Sequence, residues 1–145
     1  MWSIWRPPTT TARGNDLTLR ERVFRKDIPE LGADWLASKD SPTFLPTGPA
    51  LVPSGAVPDP SDLRIALRLN GEVRQDESTK NMIFGAARII AHYSDVSTLL
   101  PGDLVLTGSP AGKGMTHGRF LRHGDVMTAT ISGLGRQVNR CVDER

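Results

Sequence analysis

Leu63, Ile65, Leu67 and Leu69 alternate with Arg64, Ala66 and Arg68. A period of two places alternate side chains on one face, so this run predicts a half-buried strand. Asn70-Gly71 follows, a pair suited to the two positive-φ positions of a type I′ turn, and Glu72 to Gln75 is the expected return strand. From Ser78 the period changes. Met82, Ile83, Ala86, Ala87, Ile90 and Tyr93 fall at helical spacing, which predicts an amphipathic helix over about Lys80 to Ser94, capped by Ser78 or Thr79. Further on, Val126, Thr128 and Thr130 alternate with Met127, Ala129 and Ile131, and Gly133 to Gly135 turns the chain back into Gln137 to Val142. Leu99 to Asp103 and His123 to Asp125 are turns, delivering the chain into Leu104–Leu106 and Val126–Ile131 respectively.

The first half is patterned more loosely. Leu17, Leu19, Val23 and Phe24 suit a strand end leading into a short helix, and Glu30 to Lys39 suits a helical turn with Trp35 and Leu36 facing inward. On local sequence Asp16 reads as an N-cap and Lys39 as an exposed lysine. From Asp40 to Pro60 prolines and glycines dominate, and proline withholds a donor and restricts its predecessor. Phe44, Leu45, Leu51, Val52 and Val57 are spaced through that segment, which predicts an ordered edge strand with loops. The sum is a mainly β (α+β) chain of many short strands with one substantial helix.

Composition narrows the function classes. A chain of 145 residues is one domain with room for a core. Its 18 basic residues are scattered among 16 acidic ones, which argues against a nucleic-acid groove. No apolar run suits a membrane span, and the opening M-W-S-I-W-R-P-P lacks the form of a secretory signal. That opening, with Trp2 and Trp5, reads as an extended arm over residues 1–13 ahead of a domain over 14–145. The single cysteine, Cys141, suits a reducing cytoplasm and reads as a small hydrophobe in a late strand rather than a nucleophile.

The densest chemistry lies between Leu104 and Phe120, where a short apolar strand runs into Thr107-Gly108-Ser109 and then a loop holding Gly112, Gly114 and Gly118. Glycines let a backbone take positive φ or pass close to another group, so such a loop is either a tight turn or a ligand cradle. Ser109 sits where a hydroxyl and neighbouring N–H groups can meet an anionic substrate end. His117, Lys113 and Arg119 in this loop read as solvated side chains, with approach to a substrate carboxylate as the alternative.

Several stretches in register carry a resemblance: N-D-L-T-L-R from Asn15, D-W-L-A-S-K from Asp34, F-L-P-T-G-P from Phe44, N-G-E-V-R-Q-D-E-S-T-K-N-M-I-F from Asn70, L-x-P-G-D-L-V-L-T-G-S-P-A-G from Leu99 and G-R-F-L-R-H-G-D-V from Gly118. Together they resemble the fumarylacetoacetate hydrolase family, in its smaller bacterial form acting on 2-oxo acids as hydrolase, hydratase, decarboxylase or isomerase. The resemblance implies a mixed β-sandwich roll that pairs into homodimers. It also implies a Mg²⁺ ion, or Mn²⁺ or Ca²⁺ in its place, on three carboxylates, of which one matches Asp16. The family's site lysine matches Lys39, and its hydroxyl residue after T-G matches Ser109, with Gly108 beside it as part of the substrate-binding turn. Arg20, on its own position, reads as a brace for the Asp16 region through hydrogen bonds, a structural role rather than a catalytic one.

The chain also departs from that pattern. No Glu-x-Glu pair, the family's source of the other two ligands, occurs in it: Glu21, Glu30, Glu72, Glu77 and Glu144 each lack a second glutamate two positions away. Glu21 stands where the family usually has Asp, and Val23 where a substrate-contacting Gln is common. A single carboxylate anchors a strongly hydrated ion poorly. The expectation is therefore an N-terminally truncated fold that binds Mg²⁺ weakly and on its own turns over little or nothing. Three readings follow: metal-dependent 2-oxo acid chemistry by descent, an inactive binding or assembly module, or an enzyme completed by another chain's carboxylates.

Overall fold

The computed structural model describes residues 2–6, 10–57 and 59–143, with side chains described from residue 11 onward. The Pro7-Pro8 break and Glu144 lie outside the described residues. Two four-stranded antiparallel sheets make up the fold. Strands β1 (Trp2–Arg6), β2 (Thr10–Gly14), β3 (Val52–Pro53) and β6 (Val105–Leu106) form the first, in the order β3-β2-β1-β6. Strands β4 (Arg64–Leu69), β5 (Glu72–Ser78), β7 (Val126–Ile131) and β8 (Arg136–Arg140) form the second, in the order β5-β4-β7-β8. The opening stretch, read as an extended arm, is thus paired into the first sheet, β1 against both β2 and β6.

The second sheet follows the alternation seen in the sequence. Ile65 and Leu69 of β4 are buried with Met127, Ala129 and Ile131 of β7, while Arg64 and Arg68 face outward. Asn70 and Gly71 take φ of 52° and 88°, the paired left-handed conformations of a type I′ turn, and β5 returns along β4 with a register shift at Leu67/Arg68. Val57, Leu63 and Leu134 close the core over Ile65, Ala129 and Ile131, with Val52 and Leu67 packed against it.

One buried charge joins the sheets. Arg13 on β2 is fully buried, and its guanidinium donates to the carbonyls of Ala129 on β7 (3.2 Å), Gly48 (3.0 Å) and Gly135. Burying a charge is costly unless its donors are met; three carbonyls meet the two terminal nitrogens here, while the buried Nε has no partner among the described residues.

Four expectations are corrected. The helix predicted from Lys80 starts later: Thr79–Asn81 is a separate 3₁₀ turn, and Met82 and Gly85 are extended, so the α-helix runs Ala86–Val96. The early turn is held by the buried Thr79, whose hydroxyl accepts from Leu63 N at 2.8 Å. The predicted inner face holds only in part: Met82, Ala86 and Ile90 are half-buried, joined by Ile89, whereas Ile83 is 91% exposed and Ala87 and Tyr93 also face solvent. Trp35 and Leu36, expected inside, are 51% and 75% exposed; the residue facing inward there is Ser38, whose small side chain lets its backbone close on Leu19. Finally Arg20, expected to brace the Asp16 region, stands exposed in the 3₁₀ turn Arg20–Arg22.

Candidate functional site

The short helix α1 (Trp35–Lys39) starts at Asp34, whose side chain caps it by accepting from Ala37 N at 2.8 Å. Two backbone bonds zip this helix to the segment after β2: Leu19 N donates to Ser38 O (2.8 Å) and Asp34 N donates to Val23 O (2.6 Å). Upstream, the buried Asn15 is fixed by its backbone N–H on Pro46 O (3.2 Å) and by its side-chain amide on the Met127 sulfur (3.2 Å). Both ends being held, Lys39 arrives at Asp16, and its ammonium forms a hydrogen-bonded ion pair with the Asp16 carboxylate. The Asp16 side chain is 10% exposed and that of Lys39 is 32%. On its other side the ammonium lies 5.8 Å from the centre of the Trp35 ring, one helical turn back.

The glycine-rich loop arrives from β6. Ser109 follows it, and its hydroxyl accepts from the buried Gln75 of β5 at 3.1 Å; the same Gln75 amide donates to Pro110 O at 3.0 Å. Gly112 shows why a glycine is needed: its φ is +94°, and a Cβ there would lie 1.8 Å from the Arg74 carbonyl oxygen. Only a bare backbone passes so close to β5.

Asp16, Lys39, Trp35, Gln75, Ser109 and Gly112 line one cleft of about 1290 Å³. Gly108 stands outside that lining, with φ +116° and open space where a Cβ would be. His117 and Lys113 line the cleft as exposed side chains. Arg119 lines it too, half-buried and tied to Asp125 at 2.9 Å. Cys141 is half-buried just past β8; burial, then the charge of Asp125, pushes its thiol pKa up, which disfavours the nucleophilic thiolate. Sequence reasoning missed Gln75 and Trp35 as parts of the site. Gln75 is polar where β5 turns toward the core, a signal of the right kind, whereas Trp35 carried only the pattern of an inward-facing residue.

A two-sheet fold whose glycine-rich loop and Lys–Asp pair line one cleft defines a class, and the sequence match settles which. The family model for the fumarylacetoacetate hydrolase C-terminal domain matches residues 11–142, so the chain belongs to that family. Among similar proteins, the mitochondrial oxaloacetate tautomerase Fahd2a of Rattus norvegicus is 42% identical over 130 residues, which make up 88% of this chain and 40% of that one. The crystal structure of fumarylpyruvate hydrolase from Pseudomonas aeruginosa with Mn²⁺ and pyruvate superposes with a TM-score of 0.80 at 33% identity, covering 93% of this chain and 55% of that one. A probable 2-hydroxyhepta-2,4-diene-1,7-dioate isomerase from Mycobacterium abscessus gives 0.82 at 36% identity, covering 93% and 50%. The chain thus spans about two fifths of the length of the curated relatives it matches. Among the described residues no helix is long and apolar enough to cross a membrane.

The family relation raises the question of a divalent ion. Mg²⁺ takes oxygen ligands in a near-octahedral shell and is held by fixed anionic groups. In this cleft the Asp16 carboxylate is engaged by Lys39, and among the described residues no three His, Cys, Asp or Glu side chains gather into a set able to hold a metal. The donor set of the described residues does not fit the ion.

Proposed function

We propose that the cleft binds a small 2-oxo acid of the acylpyruvate or oxaloacetate type and favours its enol or enolate form. An enolate is the intermediate that tautomerisation, C–C hydrolysis and decarboxylation of such acids share, formed by loss of a C3 proton in the first and by breaking the C3–C4 bond in the other two. The observation that supports this most is the Lys39–Asp16 pair on the wall of the cleft that also holds Ser109. As a C3 proton passes from a 2-oxo acid to a solvent water, the electron pair of the C–H bond is taken up by the carbonyl and negative charge grows on the 2-oxo oxygen. A fixed ammonium stabilises that charge, and a positioned hydroxyl adds a donor. Asp16 keeps the Lys39 ammonium from swinging into solvent, and Gln75 holds Ser109 in place. The named activities of the relatives, an oxaloacetate tautomerase and a fumarylpyruvate hydrolase, concern substrates of this kind. On this reading Mg²⁺ meets Asp16 only weakly.

The test follows the enol absorbance of oxaloacetate in the presence of the chain. The expected result is a faster approach to the keto form than in buffer alone, saturating with oxaloacetate. Decay at the buffer rate at every protein concentration overturns the proposal.

A further inference from the structure

We infer that in this chain the Lys39 ammonium takes the place of a divalent cation on Asp16, so that a 2-oxo carboxylate binds here without a metal ion. The inference rests on the reading that the cleft takes a 2-oxo acid, and adds what supplies the positive charge.

The position of the ammonium is set from three directions. The bonds of Leu19 to Ser38 and of Val23 to Asp34 fix α1 against the segment that carries Asp16. Asp16, nine-tenths buried, meets the ammonium from below, and Trp35, four residues earlier on the same helix face, meets it from the side. A divalent ion approaching Asp16 faces two obstacles. It must displace a cation already held there, and once in place it sits beside that cation and is repelled by it. Two or more further anionic ligands offset such costs in a metal site, and among the described residues no group of three His, Cys, Asp or Glu side chains is gathered to supply them. An incoming carboxylate faces the opposite situation. Lys39 is a third exposed and lines the cleft, so an anion reaches it with the Asp16 contact intact. A lysine also presents three donors on one compact charge, which allows a ligand oxygen and the Asp16 carboxylate to share it.

Oxalate, a planar dianion shaped like the enolate of pyruvate, is the probe. Its binding to the full chain is titrated by calorimetry in excess chelator and again in excess Mn²⁺, for the wild type, Lys39→Met and Lys39→Arg, each checked for folding by circular dichroism. The expected result is equal affinity with chelator and with Mn²⁺, weakened about tenfold or more in Lys39→Met. Lys39→Arg, which keeps the charge, retains most of the binding. Binding seen only with Mn²⁺ overturns this inference while leaving the 2-oxo acid reading intact. Lys39→Met binding oxalate as tightly as wild type in chelator also overturns it. Absence of binding under both conditions overturns the inference and the reading beneath it together.

Discussion

Asp125, buried, and Asp16, half-buried, are each paired with a basic side chain, and their surroundings set them apart. Asp125, at the head of β7, accepts from Arg119 (2.9 Å), from the Asn70 amide (2.7 Å) and from Arg122 N (2.9 Å). Those donors, Arg119 first, hold its carboxyl far below the usual carboxylate range. Its oxygens are spoken for, and it ties the turn at Asn70 to the loop before β7. Asp16 meets Lys39 alone among the described residues, on the wall of an open cleft. A carboxylate surrounded by fixed donors is part of the scaffold. One that holds a single partly exposed cation presents that cation to a ligand.

The contrast can be broken from the scaffold side first. Arg13→Met removes bonds to three carbonyls and is expected to cost about 3 kcal/mol or more of stability, read from urea unfolding. A loss below about 1 kcal/mol would show that the buried guanidinium does not join the sheets. Gly112→Ala is expected to cost about 2 kcal/mol, because its Cβ meets the Arg74 carbonyl and the loop must lift off β5. Gly108→Ala, strained only by its φ, should cost less, and equal costs would remove the role given to close approach.

The smallest effect concerns acid. The folded-state pKa of Asp125 lies below the unfolded one, so as pH falls below about 4 the unfolded chain takes up the proton first. Its stabilisation is whole above that pH and is lost as pH falls toward the folded-state value. Asp125→Asn should therefore show a shallower acid limb in unfolding midpoint against pH than wild type. An unchanged limb contradicts the role assigned to Arg119 and Asn70.

Much of the scaffold could be read before the structure. Alternation in Leu63–Leu69 and Val126–Ile131 reports which face is covered, and Asn70-Gly71 fixes the turn between β4 and β5. Helical spacing after Ser78 was less informative. It reports amphipathicity but not where Met82 and Gly85 go extended, nor what covers the face. Arg13 gave no signal because its partners are backbone carbonyls, which every residue carries. Asp16, Lys39 and Ser109 were named through family resemblance. That Trp35 faces Lys39 rather than the core depends on the bonds between residues 19–23 and 34–38, and no local pattern encodes those.

Lys39 carries the charge on which the proposed chemistry turns. Its replacement by Met, assayed as the rate of oxaloacetate enol–keto conversion at matched folded fraction, tests this directly. The predicted result is a fall of about 10²- to 10³-fold with little change in unfolding midpoint, since a partly exposed ion pair contributes roughly 1 kcal/mol or less to stability. A Lys39→Met chain as fast as wild type would contradict it.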